Sequence, residues 1–137
     1  MKNHKKFIEE TKLILNRYKD IKIKKQGNKK EKIIITGSYN LFRKYNGKTY
    51  EETFNLEISV SDDDKELLPK VKCLDGVPRG FNHVYRDDTC CLGLSYEIFD
   101  AWEPRTAKAF FEKILDVYLI NLISFRDDNK CITGERP

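Results

Sequence analysis

Phe7, Thr11, Ile14, Leu15 and Tyr18 recur at intervals of three and four, with Lys5, Lys6, Glu9, Lys12 and Arg17 mostly between them. That is the period of a helix with one face on a core, and it predicts an amphipathic helix over residues 3–19. Gln26-Gly27-Asn28-Lys29-Lys30 breaks the pattern. From Lys32 to Lys44 the branched and aromatic residues Ile33, Ile34, Ile35, Tyr39 and Phe42 favour a strand, bent at Gly37. Asn46-Gly47 is a hairpin signal, because both central residues of a type I′ turn take positive φ. The strand that follows is the clearest in the chain: Phe54, Leu56, Ile58 and Val60 alternate with Thr53, Asn55, Glu57 and Ser59, one face for the core and one for water. Asp62-Asp63-Asp64 interrupts it, and Pro69 to Leu74 forms a short third strand whose proline suits its first position or an edge.

Residues 76–103 contain Gly76, Pro78, Gly80 and Gly93 and show no sustained period. An irregular segment of that length in a compact domain points to function or disorder. Pro104 fits the first turn of a second helix, over 104–125, and Ala107, Phe110, Phe111, Ile114, Leu115, Tyr118, Leu119 and Leu122 give that helix a broad apolar face. It is expected to be buried against the sheet. The tail, 126–137, is polar and expected to be loosely held. The pattern therefore predicts one α+β domain over 1–137: an N-terminal helix, an antiparallel β-meander over 31–75, a long loop and a buried C-terminal helix.

Composition narrows the class. The chain has 137 residues, 39% hydrophobic and 35% charged, enough for a single core. No apolar run approaches the roughly 20 residues that cross a bilayer, and MKNHKKFIEE lacks the apolar centre of a secretory signal. A cytoplasmic protein without a membrane partner is the expectation. Residues 1–30 hold eleven Lys or Arg against three acids, a net +8 that leaves −4 for the rest of the chain. Such a patch suits an acidic protein partner. Nucleic acid is disfavoured, since no aromatic stacking platform accompanies it.

Four cysteines, Cys73, Cys90, Cys91 and Cys131, lack paired zinc spacing, and only His4 and His83 supplement them. No metal site and no phosphate-cradling Gly-rich loop is expected, hence no cofactor. A disulfide framework is not expected of cytosolic thiols. His83, eight residues before Cys91 across a loop, gives reason to suspect thiol chemistry. In extended backbone the side chains of Cys90 and Cys91 point to opposite faces, so only one of them faces a given site. Cys73 and Cys90 read as small buried hydrophobes, and Trp102 as a packing residue. Asp87, Asp88, Asp100 and Glu103 are minor candidates for deprotonating an incoming amine.

Several local matches occur in one order. Glu66-Leu67-Leu68-Pro69-Lys70-Val71-Lys72 resembles the proline-bearing entry to the third strand of ubiquitin-conjugating enzymes, and His83 resembles the His of their His-Pro-Asn motif. Cys91-Leu92 resembles their active-site Cys-Leu pair, and Trp102-Glu103-Pro104 their Trp-Ser-Pro. The resemblance covers roughly residues 3–125, and its nearest flavour is the divergent bacterial members, some of which serve antiphage or ubiquitin-like conjugation systems. It implies a UBC-like fold and an acyl relay. In that relay Cys91 accepts the C-terminus of a ubiquitin-like or other protein as a thioester from an ATP-dependent activating enzyme, and passes it to an amine of an acceptor protein. Lys5, Lys6 and Lys12 on the first helix would then dock the activating enzyme. The sequence departs from the family where Val84-Tyr85 replaces Pro-Asn, so the oxyanion donor falls to the Tyr85 hydroxyl or the Asn82 amide, with Tyr85 preferred. His83 would fasten the loop. Only twelve residues follow Phe125, which implies a minimal domain without the family's two further helices. A catalytically silent binding module of the same fold and a Cys91–His83 hydrolase remain alternatives.

Overall fold

A computed structural model describes residues 2–15, 20–26, 30–61 and 68–130. Tyr18, the turn at 27–29, the acidic run Asp62-Asp63-Asp64, Glu66, Leu67, Cys131 and the tail beyond it lie outside the described residues. The His4 side chain is also outside them.

The chain is α+β. Helix α1 (Lys2–Ile14) is followed by four strands, β1 (Asp20–Gln26), β2 (Lys30–Tyr45), β3 (Lys48–Ser61) and β4 (Lys70–Cys73). They pair in sequence order, all antiparallel. The meander therefore has four strands where the pattern predicts three. The added strand, β1, sets Ile21 opposite Ile35 and Ile23 opposite Ile33. Asn46 (φ 51°) and Gly47 (φ 79°) make the β2–β3 turn in the conformation their residue types favour. In β3, Phe54, Leu56, Ile58 and Val60 are all buried, while Asn55 stays exposed.

The core lies between this sheet and the helices. Phe7, Ile8, Thr11 and Leu15 carry α1 onto it, and the rings of Trp102 and Phe110 stand edge-on to Phe7 at 5.7 and 5.8 Å. The predicted C-terminal helix is built from α3 (Ala107–Phe110), a π-helical turn (Phe111–Leu115) and α4 (Asp116–Asp128), which continue into one another through right-handed helical backbone. All eight residues of its predicted apolar face are buried.

Two boundaries differ from expectation. The second helix begins after Thr106 rather than at Pro104. Thr106 is the N-cap: its hydroxyl accepts the Ala109 N–H at 3.1 Å, satisfying a donor that a helix start leaves open. Pro104 instead follows a cis peptide bond in the turn before the helix, where the Trp102 indole donates to Thr106 O at 2.8 Å. The helix also runs to Asp128, closed by Asn129 in the left-handed conformation (φ 60°), so the tail is helical over its first three residues. The long segment is not wholly irregular either. It contains helix α2 (Ser95–Ala101), whose Glu97 carboxylate accepts the Leu94 N–H at 2.9 Å. Among the described residues no helix is long and apolar enough to cross a membrane.

Candidate functional site: the hairpin that carries Cys91

The segment between Phe81 and Leu92 is a small antiparallel hairpin. Tyr85 N donates to Thr89 O at 2.9 Å and Cys91 N to His83 O at 2.8 Å, with Val84 opposite Cys90. Its tip is tight: Asp88 N reaches Tyr85 O at 3.0 Å with Asp88 at φ 69°, and the Asp87 carboxylate accepts the Thr89 N–H at 3.0 Å. That bond to Thr89 holds the Asp87 carboxyl below the usual carboxylate range. The returning arm then joins the sheet. Thr89 pairs with Lys72, and Cys90 N donates to Val71 O at 2.7 Å, so the hairpin is mounted along β4.

Strand alternation decides which thiol is presented. Cys90 is 3% exposed and belongs to the core, whereas Cys91 is partly exposed on the opposite face. The Cys91 Sγ lies 3.5 Å from Tyr85 Oη, the tyrosine being 51% exposed. The Cys91 thiol donates to Tyr85 Oη, and that bond, followed by their mutual electrostatics, raises the Tyr85 pKa.

His83 contributes its backbone: its carbonyl accepts both Cys91 N–H and, at 2.8 Å, the Tyr118 hydroxyl from α4. Its ring packs edge-on to Phe81 at 5.1 Å, and Phe81 stacks in turn on Tyr118 and Phe125. These contacts fasten the hairpin to the C-terminal helix. Asn82 is exposed at the base of the hairpin, and of the two candidate donors it is Tyr85 whose hydroxyl lies against Cys91.

An open groove of about 550 Å³ runs between β4, the hairpin and α2, with Leu68, Pro69, Leu92, Leu94 and Ile98 as apolar walls; Tyr85 and Cys90 line it and Cys91 does not. Trp102, fully buried, packs where a core residue is expected. On α1, Lys5 and Lys6 are exposed, while Lys12 pairs with Glu9 at 3.0 Å. Among the described residues no cluster of His, Cys, Asp or Glu is arranged to hold a metal ion.

The pattern does not foresee one relation. Cys73 Sγ and Cys90 Sγ lie 3.7 Å apart. Each residue reads separately as a buried hydrophobe, and the signal that joins them is the pairing of β4 with the hairpin arm, which no local spacing announces.

Comparison with known proteins returns no match: no family model, no curated protein and no solved structure matches the chain.

Proposed function

We propose that the protein is an acyl carrier of the ubiquitin-conjugating type, which takes the C-terminus of a ubiquitin-like or other protein as a thioester on Cys91 and delivers it to an amine. The observation that carries this reading is the presentation of Cys91 on the outer face of a pinned hairpin, 3.5 Å from the Tyr85 hydroxyl.

In the loading step the Cys91 thiolate attacks the acyl carbon of the activating enzyme's thioester. A new C–S bond forms, and the donor's thiolate leaves. In the transfer step an amine attacks that carbon, charge gathers on the carbonyl oxygen, and the C–S bond to Cys91 breaks. A hydroxyl donor beside the sulfur stabilises the developing oxyanion or the departing thiolate, which gives Tyr85 the task of the missing motif asparagine. Exposed Lys5 and Lys6 on α1 would meet an acidic activating partner. The contacts of His83 favour anchoring over base catalysis, which weighs against a hydrolase.

The test is intact-mass analysis of tagged protein incubated with ATP in lysate of its own cells. A protein-sized, reductant-sensitive adduct is expected on wild type and on Cys90→Ser, and is expected to be lost or reductant-resistant on Cys91→Ser. Equal loss in both variants would sink the assignment. No adduct on wild type would leave a catalytically silent binding module of the same architecture.

A further inference from the structure

We propose that Cys73 and Cys90 form a redox dithiol, an oxidation site separate from Cys91, at which a peroxide converts two thiols into a reversible intramolecular disulfide. The inference stands on the sheet geometry and does not depend on Cys91 carrying an acyl group.

Cys73 ends β4 opposite Leu56, and Val71, two residues earlier on the same face, is opposite Ile58. Both therefore point into the core. Cys90 lies on the hairpin arm beside them, held by its own N–H to Val71 O at 2.7 Å and by the Lys72–Thr89 pairing. The backbone is thus clamped on both sides of the sulfur pair, and the sulfurs are 3.7 Å apart. Cys73 is the diagonal neighbour of Cys90 across this pairing, and the two sulfurs must approach from 3.7 Å to the roughly 2.05 Å of a disulfide. Access exists on two sides: Cys90 forms part of the groove wall, and Cys73 is partly exposed.

The hydrogen bond between the two thiols also divides their roles. It draws the Cys90 pKa down against the opposing effect of burial, and it raises that of Cys73, with burial adding to the rise. Cys90 is thus the thiol that ionises first, and the thiolate is the reactive form. Its sulfur attacks one oxygen of hydrogen peroxide: the S–O bond forms, the O–O bond breaks and hydroxide leaves, giving a sulfenic acid. The Cys73 sulfur then attacks the sulfenic sulfur. The S–S bond forms, the S–O bond breaks, and the oxygen departs as water with the proton of Cys73. Two thiols lose two electrons, and one peroxide becomes two waters.

The experiment treats the full chain with hydrogen peroxide, quenches it, and alkylates with N-ethylmaleimide in denaturant. Of the four thiols, two are expected to escape alkylation, and dithiothreitol is expected to restore them. A non-reducing tryptic digest is expected to link the peptide Cys73–Arg79 to the peptide Asp87–Arg105. Because the second peptide holds both Cys90 and Cys91, the linkage is expected to persist in Cys91→Ser and to vanish in Cys90→Ser. Cys73→Ser, at a partly exposed strand end, gives the same loss with less strain on the core, and the wild-type peptide map needs no variant. A bond that runs to Cys91 or Cys131, or four freely alkylated thiols at a peroxide dose that fully oxidises glutathione, overturns the proposal.

Discussion

Tyr85 is the side chain that the hairpin sets against the Cys91 sulfur. Its hydroxyl is the only feature that Tyr85→Phe removes, so loading of Cys91 is expected to survive while discharge of the thioester to a free amine slows by roughly 10²-fold, within the range for losing one oxyanion donor. Single-turnover discharge of the loaded protein measures both. A quieter residue sets a pH dependence. Asp75 accepts Asn55 N–H at 3.1 Å and the Asn55 side-chain amide at 3.0 Å, and these bonds lower its pKa. A carboxyl whose folded pKa is depressed contributes stability above its unfolded value, lost as pH falls through the folded one. Asp75→Ala is therefore expected to cost about 0.5 kcal/mol at pH 7, a figure kept small by solvent screening, and less once the carboxyl is protonated; urea titrations at neutral and acid pH check it. At this scale two-residue alternation foretold that Cys90 and Cys91 face opposite ways, and the structure has Cys90 buried and Cys91 partly exposed. The Cys73–Cys90 contact was hidden, since it depends on which strand the hairpin arm lies against.

The elements with a sustained period were legible. The apolar stripe from Ala107 to Leu122 and the alternation from Phe54 to Val60 each repeat often enough to fix type and facing. α2 does not: its seven residues span two turns, and among its described side chains Ile98 alone is buried. β1 offered a signal in Ile21 and Ile23 between lysines, but two apolar residues beside a basic stretch are a weak period. The start of the C-terminal helix shows two local rules competing. Proline at the first turn argued for Pro104, and the hydroxyl of Thr106, taking the Ala109 N–H, prevailed. Thr106→Ala is accordingly expected to lower stability by about 1 kcal/mol, or about 2–4 °C in melting temperature, with Thr106→Ser recovering most of it; calorimetry distinguishes them.

Across the whole molecule, sheet and helix are joined by a polar knot as well as by the core. Tyr39 donates to Asp116 at 2.5 Å and Arg43 donates to the same carboxylate at 2.9 Å and to Glu112 O at 3.0 Å. Burial raises the Asp116 pKa, and the bonds from Tyr39 and Arg43 oppose that rise. A carboxyl with a raised folded pKa contributes stability below its unfolded value of about 3.9, which is lost as pH climbs through the folded one. Tyr39→Phe removes an opposing bond and widens that shift, so its cost is expected to be larger at pH 7, about 1–3 kcal/mol, than at pH 4; chemical denaturation at both values tests the sign. Phe7→Ala, which empties the space between Trp102 and Phe110, is expected to cost about 3–5 kcal/mol independent of pH. The hairpin, finally, does more than present a thiol. An open sheet grows into a fibre only if both its borders can accept a further backbone, and on the β4 side the arm through Thr89 and Cys90 already occupies the border, leaving there only the short flank around Val84. The arm that mounts Cys91 thereby also shields that border from a further strand.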